Sequence, residues 1–296
     1  MSRHDKLFLG IDGGGSKCRA LLCDAQGNAL GTGQSGPANP NQGLQQTIES
    51  VIDATHQALQ AAHLPKGAIA QLHVGLGLAG LNLPKYRTMV QQWAHPFASM
   101  QIASDLWIAC LGAHGESDGA VIITGTGSTG MVSVDGEVHE FGGHGFSVGD
   151  QGSGAWLGLF AIRQALQALD GLLPSAPMVD KILDTVGCSD AQSLAEKMAG
   201  QSPARFARLA PLVIDCAKQQ DPMATALVQQ GADYINRLAH RLLAFNPPRL
   251  SMIGGLAPIL FDWLDEDIQA RLEPARFSPE YGAVLFARQH ACEDTL

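Results

Sequence analysis

The chain is short of positive charge and of long apolar runs. Its 296 residues carry 19 Lys and Arg against 28 Asp and Glu, a net charge of −9 at pH 7. Because nucleic acids and anionic membranes are bound through basic patches, this balance argues against both as partners. No run approaches the roughly 20 apolar residues that a membrane-spanning helix needs. The first six residues lead directly into a strand-like run, which predicts that no signal peptide is present.

Paired cysteines are lacking too. Six cysteines are scattered along the chain without a CxxC pair, which predicts buried, reduced thiols in a cytoplasmic protein rather than disulfides or a zinc site. On a strand, Cys18 and Cys23 would point to opposite faces. His139 and His144 flank a glycine-rich stretch, but no cysteine or carboxylate pattern completes a metal site around them. The six cysteines are Cys18, Cys23, Cys110, Cys188, Cys216 and Cys292.

Glycine is abundant, with 34 residues, and two glycine-rich turns share one design. The first follows the apolar run 7–11 and reads Asp12-Gly13-Gly14-Gly15-Ser16-Lys17. The second follows the run 120–123 and reads Thr124-Gly125-Thr126-Gly127-Ser128-Thr129-Gly130. Free backbone N–H groups of glycines, followed by Ser or Thr hydroxyls, form a cradle for anions. Two such cradles facing each other predict a nucleotide held by its phosphates between two lobes.

Neither turn fits the commoner phosphate motifs. In the first, Ser16 precedes Lys17, whereas a Walker A loop needs Lys followed by Ser or Thr. The second matches GxGxxG, but a dinucleotide fingerprint must open a helix. Here the β-branched, alternating residues 131–134 follow, and Asp135-Gly136 turns the chain back. Both turns are therefore predicted to join strands.

The order of elements repeats along the chain, whose length suggests roughly two domains. Three strands, a helix at 44–62, a strand at 72–78, a helix at 85–93, a strand at 101–104 and a helix at 106–113 form the plan of one RNase H-like domain. Three more strands then restart the plan. We expect an α/β fold with two RNase H-like, actin-like ATPase lobes and a nucleotide cleft between them. The domains are placed at 1–115, with sugar and phosphate contacts, and at 116–296, which binds ATP and carries a helical insertion. The final helix, near 279–290, is expected to pack back on the first lobe.

Two carboxylates follow strands of the first domain. Asp12 ends the first strand beside the first turn, where a carboxylate can hold Mg²⁺ through water against nucleotide phosphates; the alternative is that it caps the turn. Asp105 ends a strand taken to be central and begins a helix, where Asp is a favoured N-cap. Ligands also bind at the carboxyl ends of such strands. We favour Asp105 as the base that deprotonates an acceptor hydroxyl.

Further glycines mark two more candidate ligand contacts. Residues 142–154 are dense in glycine, which favours close backbone approach to a ligand, with His144 or Asp150 bonding sugar hydroxyls; a mobile loop is the alternative. Gly254 and Gly255 follow a predicted buried strand and would let the backbone lie flat against a purine ring. A tight strand-to-helix turn is the alternative there.

Taken together, these motifs resemble the superfamily of sugar kinases, heat-shock chaperones and actin. Within it the chain is most similar to the BadF/BadG/BcrA/BcrD ATPase family, on its N-acetylglucosamine and glucosamine kinase branch, over essentially the whole length. The stretches that carry this resemblance are 10–16, 36–39, 104–105, 124–128 and 149–154, with 94–99 and 110–114 especially similar to bacterial glucosamine kinases.

The resemblance implies an ATP-dependent kinase that phosphorylates the 6-hydroxyl of N-acetyl-D-glucosamine or D-glucosamine. It implies ATP and Mg²⁺ as cofactors, an amino sugar as small-molecule partner, and a homodimer. Asp105 is the implied base, and Asp12 is expected to hold Mg²⁺ through water. The expected ATP contacts are Gly13, Gly14, Gly15, Ser16, Lys17, Gly125, Thr126, Gly127, Gly254 and Gly255. The expected sugar contacts are Asn39, Asp105, Ser128, Gly143, His144 and Asp150.

One position departs from the family pattern, and two other function classes stay open. His144 stands where N-acetylglucosamine kinases often have tryptophan, so the sequence leaves the choice between N-acetylglucosamine and glucosamine open. One alternative class is an ATP-gated activator of a 2-hydroxyacyl-CoA or benzoyl-CoA type system, whose members hold an iron–sulfur cluster between subunits with a matched pair of cysteines. Cys188 and Cys216 are too far apart in sequence to indicate such a pair, although sequence distance alone does not exclude it. The other is an actin-like ATPase without a small-molecule acceptor.

Overall fold

The computed structural model describes residues 6–81, 83–115 and 118–293. The chain divides into two compact units. The first comprises the chain up to Val121, Ser133–Gly136 and the chain from Pro274 onward. The second comprises Ile122–Val132 and Glu137–Glu273.

The first unit is built on a five-stranded sheet in the order β3-β2-β1-β4-β5. The first three strands are antiparallel neighbours, whereas β4 and β5 continue the sheet in parallel from β1. In this register Asp12 lies opposite Arg19 on one side and Gly77 on the other. The strand that precedes Asp105 is therefore at the sheet edge, and the expectation that it is central is wrong. The strands are β1 (Leu7–Gly13), β2 (Cys18–Cys23), β3 (Ala29–Ser35), β4 (Leu72–Leu78) and β5 (Ser99–Ser104).

Helices cover both faces of this sheet, and strand alternation sorts the side chains between them. Leu9 and Ile11 belong to a core with α1 (Leu44–Ala61), whereas Phe8 packs against the last helix, α12 (Pro279–Glu293). Cys18 and Cys23 fall in these two separate clusters, which confirms that they point to opposite faces. The other helices of the unit are α2 (Pro84–Gln91) and α3 (Asp105–His114).

A second sheet repeats the strand order of the first. Its strands run β8-β7-β6-β9, and a parallel bridge between Leu250 and Leu272 stands where a fifth strand would pair. The repeated sheet confirms the predicted α/β class with two related sheets. The strands are β6 (Gly119–Thr124), β7 (Ser128–Val134), β8 (Glu137–Gly142) and β9 (Leu250–Ile253).

Helices make up most of the second unit. The predicted helix start at Asp221-Pro222 is confirmed, because the Asp221 carboxylate accepts the N–H groups of Met223 and Ala224 at 3.0 and 2.9 Å. The described helices include none long and apolar enough to cross a membrane. The helices are α4 (Gly154–Leu169), α5 (Pro177–Val186), α6 (Ala191–Met198), α7 (Pro203–Ala207), α8 (Ala210–Lys218), α9 (Pro222–Leu243), α10 (Ala257–Leu260) and α11 (Glu266–Gln269).

Candidate active site

Asp12 lies in an electrostatically crowded position at the end of β1. The pKa of its carboxyl is raised to about 7, first by burial and then by the negative charge of Asp105. Glu280 adds to this rise, while Arg19 and Lys17 oppose it. A bound cation would offset the repulsion between neighbouring carboxylates at a shielded position. Carboxylate oxygens are also the ligands that Mg²⁺ prefers. The residues around Asp12 therefore fit a divalent cation.

The first turn is fastened to the loop that carries Asn39. The Gly14 N–H donates to the Lys17 carbonyl, and the Gly14 carbonyl accepts the Ala38 N–H, both at 2.9 Å. The side chains of Ser16 and Lys17 are exposed at the tip of the turn. This arrangement leaves the tip open to an anion while its base is held by main-chain hydrogen bonds.

Asn39 is held by its own local turn. Its Oδ1 accepts the Asn41 N–H at 2.9 Å, and its carbonyl accepts the Gln42 N–H at the same distance. A Cβ added to Gly80, at φ 82°, would lie 2.6 Å from the Asn39 Oδ1. Only glycine therefore lets the chain after β4 pass this close to Asn39.

Asp105 is the first residue of α3 and is not its N-cap. Ser104 takes that role, with its hydroxyl accepting the Trp107 N–H at 3.1 Å. Asp105 Oδ1 accepts the adjacent Leu106 N–H at 3.0 Å. Because Ser104 caps the helix, the alternative that Asp105 is its N-cap is wrong. The Asp105 carboxylate is half-buried, and its charge acts on Asp12.

Glu280 is the residue that sequence reasoning missed. It lies in the first turn of α12, and its Oε2 is buried with no hydrogen-bond partner among the described residues. An acidic residue after proline at a helix start is a routine pattern, so the sequence offers no signal that separates it from any other helix start.

In the second unit, the second turn closes over the start of α4. Gly125 donates its N–H to the Gly127 carbonyl at 2.9 Å. The carbonyls of Gly125 and Thr126 accept the Gly154 and Ala155 N–H groups at 2.7 and 3.2 Å. These bonds direct the carbonyls of the turn toward the helix. The carbonyls therefore point away from an anionic ligand, which binds to hydrogen-bond donors.

The glycine-dense segment 142–154 is tied to the same turn. Ser128 is buried and donates its hydroxyl hydrogen to the Gln151 carbonyl at 2.7 Å. Its own carbonyl accepts the Gly143 N–H at 3.1 Å. Thr124 likewise donates to the Gly152 carbonyl at 3.0 Å. Ser128 and Gly143 therefore hold the segment against β7.

Asp150 is buried within this segment in a left-handed conformation, at φ 58°. Its Oδ1 accepts the Gly145 N–H at 3.1 Å, and its Oδ2 lies 2.9 Å from where a Cβ on Gly127 would be. Burial raises the pKa of Asp150, against the Gly145 hydrogen bond and the charge of His144. His144 is exposed beside it. Asp150 thus adjoins both the phosphate turn and the exposed His144.

Gly254 and Gly255 meet the second turn at Thr124. The Thr124 carbonyl accepts the Leu256 N–H at 3.1 Å, and Gly254, at φ 106°, packs so closely on the Thr124 backbone that a Cβ would clash. A Cβ on Gly255 would meet nothing within 4 Å.

The structure brings together the predicted ATP and sugar residues within each unit: Asp12, the first turn, Asn39 and Asp105 in one, and the second turn, residues 143–150 and Gly254-Gly255 in the other.

Comparisons with known proteins find relatives that are named as amino-sugar kinases. Glucosamine kinase GspK of Vibrio cholerae serotype O1 is 35% identical over 280 residues, 95% of each chain. N-acetyl-D-glucosamine kinase of Dictyostelium discoideum is 26% identical over 321 residues, 95% of this chain and 98% of that protein. The crystal structure of a Chromobacterium violaceum protein, to which an N-acetylglucosamine kinase activity is ascribed, superposes on this chain with a TM-score of 0.90. The two sequences are 34% identical. That match covers 96% of this chain and 99% of the other.

A family model identifies the family to which the chain belongs. The model of the BadF/BadG/BcrA/BcrD ATPase family matches residues 9–287, which include every candidate site residue described above. The chain therefore belongs to the BadF/BadG/BcrA/BcrD ATPase family.

Proposed function

We propose that this protein is an ATP-dependent kinase that phosphorylates the 6-hydroxyl of D-glucosamine or N-acetyl-D-glucosamine. One observation carries the proposal: Asp105 begins α3 directly after β5, and its negative charge acts on Asp12. A carboxylate that directly follows the carboxyl end of a strand lies where ligands bind in such folds, and it can orient an acceptor hydroxyl and take its proton. The kinase names of the relatives support the same chemistry and the amino-sugar class.

The first unit supplies the reacting groups in this proposal. Asp105 is the general base, and Asn39 binds the sugar. Gly13, Gly14, Gly15, Ser16 and Lys17 receive ATP phosphates through the open tip of the turn. Asp12 would hold Mg²⁺ through water, and the ion, when bound, would supply positive charge to the phosphates.

The second unit supplies further ATP and sugar contacts. Gly125, Thr126 and Gly127 contact phosphates, and Gly254 and Gly255 adjoin the adenosine. Gly143, His144 and Asp150 contact the sugar. We assign Ser128 a positioning role, because its hydroxyl is engaged by the Gln151 carbonyl.

The cysteines give less support to the alternative function, an ATP-gated activator, than the site gives to a kinase. Such an activator needs accessible thiolates to hold an iron–sulfur cluster. Of the five described cysteines, four are buried and Cys188 alone is partly exposed. Burial raises the pKa of Cys216, which disfavours the thiolate that iron binds. The kinase is therefore the function that we propose.

The Asp105→Asn variant tests the role of the base. We expect turnover to fall by about 10²–10⁴-fold, the usual contribution of a positioned base, while calorimetry still detects sugar binding. Ser104→Ala is the matched control: it removes the N-cap, costs about 1 kcal/mol of stability and keeps most activity. Near-normal turnover of Asp105→Asn would overturn the assignment.

A further inference from the structure

Glu280 belongs to a helix that is fitted closely to β1. A Cβ on Gly10 would clash with the Glu280 carbonyl, and one on Gly75 would clash with the Ala283 carbonyl. Further along the helix, Val284 and Ala287 pack with Phe8 in one apolar cluster. Since β1 runs from residue 8 to residue 12 while α12 runs back from 287 to 280, the first turn of α12 lies at the strand end that carries Asp12.

The Glu280 side chain is directed toward that strand end. Helical side chains tilt toward the N-terminus of their helix, which here points along β1 toward Asp12. Gly10 and Asp12 are two residues apart and share the sheet face that α12 covers. The electrostatic effect of Glu280 on Asp12 agrees with this placement.

One oxygen of the Glu280 carboxylate lacks the partner that a buried anionic oxygen requires. Its Oε2 is shielded from solvent, and no described residue gives it a hydrogen bond. The positive groups that act on Asp12 are Arg19 and Lys17, and Lys17 is exposed at the tip of the first turn. Because a buried carboxylate oxygen without a donor is unfavourable, a bound cation would relieve Glu280 and Asp12 together.

We propose that Glu280 is a positioning residue of the magnesium site, which shares with Asp12 the water shell of the ion and leaves Asp105 to act as base. This inference rests on the proposed kinase function. Mg²⁺ keeps several waters and uses one or two carboxylates besides nucleotide phosphates, which matches a pair formed by Asp12 and Glu280. The alternative is that Glu280 only stabilises the N-terminus of its helix.

Manganese binding tests the inference without measuring catalysis. Mn²⁺ is titrated by electron paramagnetic resonance into protein saturated with a non-hydrolysable ATP analogue. Glu280→Gln is expected to weaken Mn²⁺ binding by about 10-fold or more, the usual loss when a supporting residue of a metal site is removed. Asp180→Asn is the matched control, because Asp180 is also an acid in the first turn of a helix that begins with proline; its Mn²⁺ affinity should equal that of wild type.

Thermal unfolding gives a second readout. Without divalent cations, Glu280→Gln should melt at the same or a higher temperature than wild type, because a negative charge that repels Asp12 has been removed. Addition of Mg²⁺ with the ATP analogue should raise its melting temperature less than that of wild type. A residue that served only the helix dipole would instead lower the melting temperature and leave the Mg²⁺ effect unchanged.

The outcomes separate this inference from the proposed function. Wild-type Mn²⁺ affinity in Glu280→Gln, with a loss in Asp12→Asn, overturns the role of Glu280 and leaves the kinase intact. Absence of Mn²⁺ binding in wild type overturns both metal assignments. If Glu280→Gln does not fold, Glu280→Asp is measured in its place, and an unchanged Mn²⁺ affinity there contradicts the proposal. A wild type that forms ADP equally with and without amino sugar rejects the kinase, whatever Glu280 does.

Discussion

The carbonyl of Glu280 lies directly over Gly10, so that β1 and α12 meet without any intervening side chain at this point. The contact joins residues 270 positions apart (280 − 10). It places the last helix against the strand that ends at Asp12, which makes the C-terminal segment part of the surroundings of the candidate active site.

The Gly10→Ala variant should therefore be strongly destabilised. Any Cβ there overlaps the Glu280 carbonyl and crowds Val284, so the helix must shift, and overpacking of this kind costs about 1–3 kcal/mol or more. Gly67→Ala is the control, since a Cβ at Gly67 meets nothing within 4 Å. Urea unfolding measures both, and equal stability of the two variants would contradict the close fit of α12.

The Gly125→Ala variant should separate ligand binding from folding. A Cβ at Gly125 has open space around it, so the melting temperature should stay at the wild-type value. If phosphate lies against this turn, the added methyl group should weaken ATP binding by about 10-fold, or about 1.4 kcal/mol. Gly255→Ala, which is equally unobstructed, should do the same through the adenosine. Isothermal titration with ATP measures both effects, and unchanged affinity would remove that glycine from the ATP site.

The His144→Trp variant should change the preference between acceptors. His144 is exposed beside Asp150, where an indole would offer an apolar face to the methyl group of an N-acetyl substituent. The kcat/KM ratio of N-acetylglucosamine to glucosamine should rise about fivefold, or about 1 kcal/mol. His139→Trp is the control, because His139 stacks on Phe245 instead, with ring centroids 4.5 Å apart. An equal ratio in both variants and wild type would show that residue 144 does not contact the acyl group.

Stability should fall at alkaline pH through the buried thiols. Burial raises the pKa of Cys18 to about 12, from 9.0. A raised thiol pKa stabilises the fold fully below pH 9, and this contribution is lost as the pH rises toward 12. Between pH 9 and pH 10 one such thiol costs about 1 kcal/mol. Urea unfolding of Cys18→Ala should show a smaller alkaline loss than wild type, whereas Cys188→Ala should lose as much as wild type. The same alkaline loss in all three proteins would argue against a thiolate penalty at Cys18.

Local sequence patterns were sufficient to predict most of the helices and strands. The apolar run at residues 72–78 and the run at 250–253 predict β4 and β9 with the observed bounds. Asp221 followed by Pro222 predicts the start of α9, because its capping bonds are made within four residues. The repeated strand–turn–strand plan predicts two sheets of the same strand order, and the family comparison agrees.

Contacts between segments that are far apart in sequence could not be predicted from local patterns. The edge position of β5 depends on which strand pairs with β4, and Ser104 rather than Asp105 caps α3 because of the backbone geometry at that strand end. The charge of Glu280 acts on Asp12 because glycines at positions 10 and 75 let α12 approach the sheet. No periodicity or motif near residue 280 encodes that approach.

ADP formation from Mg-ATP, measured with glucosamine, with N-acetylglucosamine, with glucose and without sugar, decides whether this protein is an amino-sugar kinase. We expect ADP release that depends on an amino sugar and that disappears in Asp105→Asn. Equal release in every reaction, or none in any, would contradict an amino-sugar kinase.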